Sequence, residues 1–137
     1  MGIVAGADRR ELLLYYAADV AGGATECISV ATASRPQGPF IDTSSAPLEC
    51  QKSLGGSIDL FTFIESSGSP YLLWKTGGRG SSKIWSEQLT PTGTAIAPGA
   101  SPTVLLMPDQ PWESGTVEAP DSPWLARTVF RSGPRPQ

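Results

Sequence analysis

Leu13-Leu14-Tyr15-Tyr16 returns 58 residues later as Tyr71-Leu72-Leu73-Trp74, and two more segments follow each copy in the same order. Cys27-Ile28-Ser29-Val30 corresponds to Lys83-Ile84-Trp85-Ser86 at an offset of 56, and Arg35-Pro36-Gln37-Gly38 to Thr90-Pro91-Thr92-Gly93 at an offset of 55. Each copy is therefore an apolar run, a second run rich in β-branched or aromatic residues, and a Pro/Gly turn. A recurrence in the mid-fifties, with about four short strands per unit, suits the blade of a β-propeller. A β-sandwich is the competing architecture, since any two of its hairpins look alike.

The rest of the chain reads the same way. Strand-length runs are expected at 11–18, 25–33, 48–51, 58–65, 70–75, 82–89 and 103–107, with a short extended piece at 40–42. Each is bounded by clusters of Gly, Pro, Ser or Asp, and none reaches helix length. Gly and Pro supply 28 of the 137 residues, which disfavours a helix bundle and favours short strands joined by many turns. The fold class expected is all-β: about two four-stranded propeller blades and the start of a third in residues 1–120. Residues 121–137 form a divergent tail, expected to be disordered because 131–137 hold two prolines and a glycine but little to pack.

Composition narrows the function classes. Ten Lys+Arg stand against 13 Asp+Glu, for a net charge of −3, and no basic cluster is present to follow a phosphate backbone. Nucleic acid is therefore not an expected partner. A membrane is not expected either, because the longest apolar run, 12–18, falls far short of the roughly 18 residues of a span. Residues 1–10 lack a basic start followed by a long apolar stretch, so they do not read as a secretory signal. This leaves the localisation open, between an intracellular chain and one whose true start is missing.

Histidine is absent, which removes Ser-His-Asp and Cys-His nucleophile systems and imidazole-based zinc sites. The two cysteines, Cys27 and Cys50, have no metal-ligand spacing, and no metal or cofactor is expected. One disulfide and two buried thiols are both open readings. Catalysis would fall to carboxylates. Asp59, between Ile58 and Leu60, and Glu118, between Val117 and Ala119, have apolar flanks that would partly desolvate them. That is the condition under which a carboxyl keeps its proton to higher pH, as a general acid must. The bland alternative for each is a turn cap or a pairing with a nearby Lys or Arg. Trp112, in a turn-rich segment, is the aromatic best placed to stack on a sugar, whereas Trp74 and Trp85 read as core. Gly77-Gly78-Arg79-Gly80 lacks the ending of a phosphate loop and reads as a hairpin turn.

Taken together, Leu13 to Ala18, Ile28 to Ser34 with Gly38-Pro39-Phe40, Gly55-Gly56-Ser57-Ile58-Asp59, Pro70 to Lys75, and Asp109-Gln110-Pro111-Trp112-Glu113 with Val117-Glu118-Ala119-Pro120 resemble glycoside hydrolase family 43. The resemblance implies a five-bladed β-propeller acting on arabinose- and xylose-containing polysaccharides of the plant cell wall, commonly exported, and inverting the anomeric centre with three carboxylates. Glu118 matches the general acid, and Asp59 matches the residue that orients the acid and tunes its pKa. Leu60 stands where a proline usually follows that Asp. The base Asp of the resemblance finds no match, because Asp8 lies in a Gly-Ala-Asp-Arg-Arg setting unlike that of the base. Five blades of about 57 residues would need roughly 285 residues. The expectation is thus a hydrolase fragment that is inactive alone, with a non-catalytic carbohydrate-binding or interaction module as the alternative.

Overall fold

A computed structural model of the chain describes residues 2–5, 11–78 and 81–121. Asp8 and, beyond Asp121, the tail expected to be disordered lie outside the described residues. Among the described residues seven strands form two antiparallel sheets. The first contains β1 (Gly2–Ala5), β2 (Leu12–Asp19) and β3 (Glu26–Ala33), in that order. The second contains β4 (Ile58–Ile64), β5 (Pro70–Thr76), β6 (Lys83–Gln88) and β7 (Thr103–Leu106), also in chain order. Within each sheet consecutive strands are hydrogen-bonded neighbours.

The repeat seen in the sequence is the central hairpin of each sheet. β2 pairs with β3 from Leu12↔Ala33 to Asp19↔Glu26, and β5 pairs with β6 from Tyr71↔Gln88 to Thr76↔Lys83. The sheets stack around Leu13, Tyr15, Ile28 and Val30 from the first and Leu72, Trp74 and Leu89 from the second. Leu13 corresponds to Tyr71, so the partners of Leu72 and Trp74 in the first sheet are Leu14 and Tyr16, which lie on its other face. The front of one sheet therefore packs on the back of the next, the head-to-tail stacking of successive propeller blades.

Two glycines make the close approach possible. Gly56, with φ +98°, lies so near the Glu26 backbone that a Cβ there would come within 2.6 Å of the Glu26 carbonyl oxygen. The adjacent Ser57 N–H donates to that oxygen at 2.9 Å, tying the start of the second sheet to β3 of the first. Gly93, in the turn after β6, has its carbonyl oxygen 2.6 Å from the hydroxyl of Tyr15, which donates to it across the seam. A Cβ on Gly93 would meet that same hydroxyl at 2.6 Å.

The first sheet differs from the four strands expected of it. The run at 48–51 makes one isolated bridge, Ile28↔Glu49, and the piece at 40–42 makes another, Thr32↔Ile41. Pro36, Pro39 and Pro47 around these segments supply no backbone donors, so a fringe of single bridges replaces a continuous edge strand. Cys27 and Cys50 form a disulfide that staples this fringe to β3, which decides between the two readings of the thiols. β1 was not expected from the sequence. Two single 3-10 turns, Lys52–Leu54 and Pro111–Glu113, also appear. Past β7 the described chain continues to Asp121 without another strand. No helix among the described residues is long and apolar enough to cross a membrane.

Candidate active site

One end of the second sheet gathers the candidate residues. A row of cross-strand partners, Ile58↔Lys75, Lys75↔Ile84 and Ile84↔Leu106, runs across all four strands there. Asp59 follows Ile58 directly and sits where the β4–β5 register shifts, with φ +50°. A non-glycine residue in this region is conformationally costly, on the order of 1–3 kcal/mol, and such residues cluster at functional sites. The bulge turns Asp59 out of the ladder, and its side chain is exposed.

Glu118 reaches the same end from the other direction. β7 finishes at Leu106 beside Ile84, so the segment that follows emerges over this end of the sheet. The turn Pro111–Glu113 shapes it: Pro111 occupies the first helical position, and the Glu113 carboxylate accepts the N–H groups of Asp109 and Gln110 at 2.7 Å each. The segment then returns to the sheet, where Val117 N–H donates to the buried Ser82 hydroxyl at 2.7 Å. Ala119, directly after Glu118, has φ +51°. Glu118 accepts a hydrogen bond from the Lys75 ammonium at 3.0 Å. Lys75 is largely buried, with a side-chain exposure of 10%, while that of Glu118 is 57%.

Asp59 and Glu118 thus stand at the same end of the sheet, and Lys75 links the two segments that carry them. It is the cross-strand partner of the residue before Asp59 and the ion-pair partner of Glu118. The apolar flanks suggested partial desolvation of both carboxylates, and the structure corrects this: Asp59 is exposed and Glu118 is more than half exposed. The flanking residues Ile58 and Val117 serve the ladder and the Ser82 contact instead of enclosing the carboxyls. Lys75 was missed in the sequence because it closes an apolar strand. Its parity was the available signal, since Tyr71, Leu73 and Lys75 share one face of β5. Trp112 is 81% exposed on its turn, whereas Trp74 is fully buried and Trp85 partly so, as their sequence settings suggested. Among the described residues no group of three or more His, Cys, Asp or Glu could hold a metal ion.

The sequence model of Glycosyl hydrolases family 43 matches residues 11–128, most of the chain and every strand but β1. The chain belongs to this family. Similar solved structures include an endo-1,4-beta-xylanase from Bacteroides thetaiotaomicron, 27% identical with a TM-score of 0.64 over 82% of this chain. A thermostable family-43 glycoside hydrolase is 22% identical, with a TM-score of 0.66 over 81% of this chain. An endo-arabinase from Bacteroides thetaiotaomicron is 18% identical, with a TM-score of 0.60 over 71%. The chain spans 34%, 35% and 33% of these proteins respectively, about a third of each. No curated protein matches. The two stacked sheets are accordingly part of a family-43 β-propeller.

Proposed function

We propose that this chain carries the acid half of an inverting glycosidase centre, for arabinose- or xylose-containing polysaccharides of the plant cell wall. The observation that supports this reading is the convergence of Asp59 and Glu118 on one end of one sheet, through Lys75. Glu118 would be the general acid, giving its proton to the glycosidic oxygen as the bond to the anomeric carbon breaks. Lys75, already within hydrogen-bond distance, then stabilises the carboxylate left behind. Asp59 would be a positioning and tuning residue. It follows Ile58, the cross-strand partner of Lys75, and so stands at the same end of the sheet as the lysine that holds Glu118.

Inversion also needs a base on the opposite face of the sugar, roughly 6.5–9.5 Å from the acid, with water between them. Our reading assigns no residue of these 137 to that role. Loss of a general base typically costs on the order of 10²–10⁴ in rate. The expected state of the chain alone is therefore a carbohydrate-binding, catalytically silent one. Trp112 favours a binding contribution, because so exposed an indole offers an open face to the C–H side of a sugar ring.

The test is hydrolysis of an aryl α-L-arabinofuranoside and an aryl β-D-xyloside by the purified chain and its Glu118→Gln variant, with calorimetric titration of xylo- and arabino-oligosaccharides into wild type and Trp112→Ala. Turnover lost in Glu118→Gln establishes the acid and shows that a base is supplied. Absent turnover with sugar binding weakened by Trp112→Ala supports the silent binding state. Neither turnover nor binding by the folded chain overturns the reading.

A further inference from the structure

The carboxylates that are enclosed in this molecule lie at the seam between the two sheets, away from the candidate site. Ile28 belongs to the seam cluster, and Glu49 is its direct cross-strand partner, so Glu49 faces the second sheet. Leu72 belongs to the same cluster from the other side. Its direct partner is Glu87, which therefore faces the first sheet. Glu87 is only 5% exposed.

Glu49 has little freedom to withdraw. Its backbone exchanges two hydrogen bonds with Ile28, at 2.9 and 3.1 Å, and the next residue, Cys50, is cross-linked to Cys27. The buried Ser57 hydroxyl donates to Glu49 Oε1 at 3.4 Å and accepts the Gln51 N–H at 3.0 Å. Two carboxyl groups thus point into a seam whose buried core is apolar.

Among the described residues no counter-ion compensates them. The other described ionisable groups on the facing surfaces and their rims are Tyr15, Asp19, Glu26, Lys52, Asp59 and Lys83. Tyr15 donates its hydroxyl to Gly93. Asp19, Glu26, Lys52 and Asp59 are exposed, and the Lys83 ammonium lies over the Trp85 ring, 5.9 Å from its centroid. The one salt bridge among the described residues, Lys75–Glu118, belongs to the other face of β5.

We propose that burial at the seam keeps at least one of Glu49 and Glu87 protonated in the folded protein, making the docking of one sheet on the other a pH-sensitive joint that is tight while the pair holds a proton and loosened when both carboxyls ionise. Burial, reinforced by the charge of Glu87, pushes the Glu49 carboxyl up from its ordinary 4.5 to about 7. Burial pushes Glu87 upward as well. The sign follows from proton counting. Between 4.5 and about 7 the folded protein keeps a proton that the unfolded chain has released, so folding is favoured at the acid end. That contribution is fully present below the unfolded value and disappears as pH rises through about 7. Asp42 does not confuse the window. The hydroxyls of Ser29 and Ser44 hold its carboxyl well below the usual range.

The experiment is thermal unfolding of the full chain at closely spaced pH values across this window, for wild type, Glu49→Gln and Glu87→Gln. The wild-type midpoint is expected to fall by roughly 5 °C from the acid end to the neutral end. Either amide variant should lose at least half of that slope. A second measurement does not depend on the variants folding. The infrared C=O band of a protonated carboxyl should persist in folded wild type to near neutral pH and vanish on unfolding. A wild-type midpoint that does not fall with pH, an unchanged slope in Glu87→Gln, or no protonated-carboxyl band near neutrality would each overturn the proposal.

Discussion

The two sheets share a central hairpin and part company at their edges. In the first sheet the outer position is a fringe of two bridges, held by the Cys27–Cys50 disulfide and by Asp42, whose carboxylate accepts the hydroxyls of Tyr16 and Ser29. In the second it is a true strand, β7, and the chain beyond it bends back to place Glu118 on Lys75. The hairpins carry the apolar side chains that make the seam, so their spacing is tightly constrained. The edges are built for different tasks: the first is stapled to its sheet and sends Leu48 and Gln51 to the seam, and the second delivers a carboxylate.

This contrast can be broken most forcefully at the seam itself. Trp74 is fully buried and donates its indole N–H to Gln51 at 3.2 Å, so Trp74→Ala should cost about 3–5 kcal/mol and loosen both sheets together. Denaturant unfolding, followed separately by hydrogen exchange in β2 and in β6, checks this. Loss of protection in the second sheet alone would mean that the sheets fold independently. Cutting the staple should be milder and one-sided. Replacing Cys27 and Cys50 together by Ala removes a cross-link spanning 23 residues, worth about 3 kcal/mol on loop-entropy grounds. Exchange should quicken first at Ile28 and Glu49, whose mutual bonds hold the fringe, while β5–β6 keeps its protection. The smallest effect is expected at the other edge. Lys75→Met removes the ion pair with the half-exposed Glu118 and should cost under about 1 kcal/mol. Its mark should be local, with faster exchange at the Val117 N–H as the returning segment loosens over Ser82.

The sequence carried the hairpins well for a physical reason. Apolar alternation and turn chemistry are local, and the runs at 11–18, 25–33, 58–65, 70–75, 82–89 and 103–107 match observed strands to within a residue at each end. What it hid depends on distant partners. Gly2–Ala5 is too short to signal a strand, and its ladder exists only because β2 lies alongside. The run at 48–51 had strand-like residues, yet only Glu49 finds a partner. At the candidate site, Asp59, Glu118 and Trp112 stood out by their neighbours, while Lys75 needed knowledge of which face of β5 looks toward the returning segment. The enclosed carboxylates were misplaced for the same reason. Apolar flanks along the chain drew attention to Asp59 and Glu118, whereas enclosure is set by what lies across the sheet and across the seam. Trp85, Glu87 and Leu89 alternate on one face, and a glutamate within that stripe was the legible clue to the buried acid.

The front-to-back stacking of the sheets has one more consequence. A surface that fits its own twin face to face stops at two copies, but a unit whose front fits its own back can accept another of its kind at either side. Duplicating such a unit requires no newly invented contact, because the template already carries both halves of the joint. In a ring of such units the rotation from each sheet to the next sets how many copies close it, so the close approaches at Gly56 and Gly93 lie in the joint that does the counting.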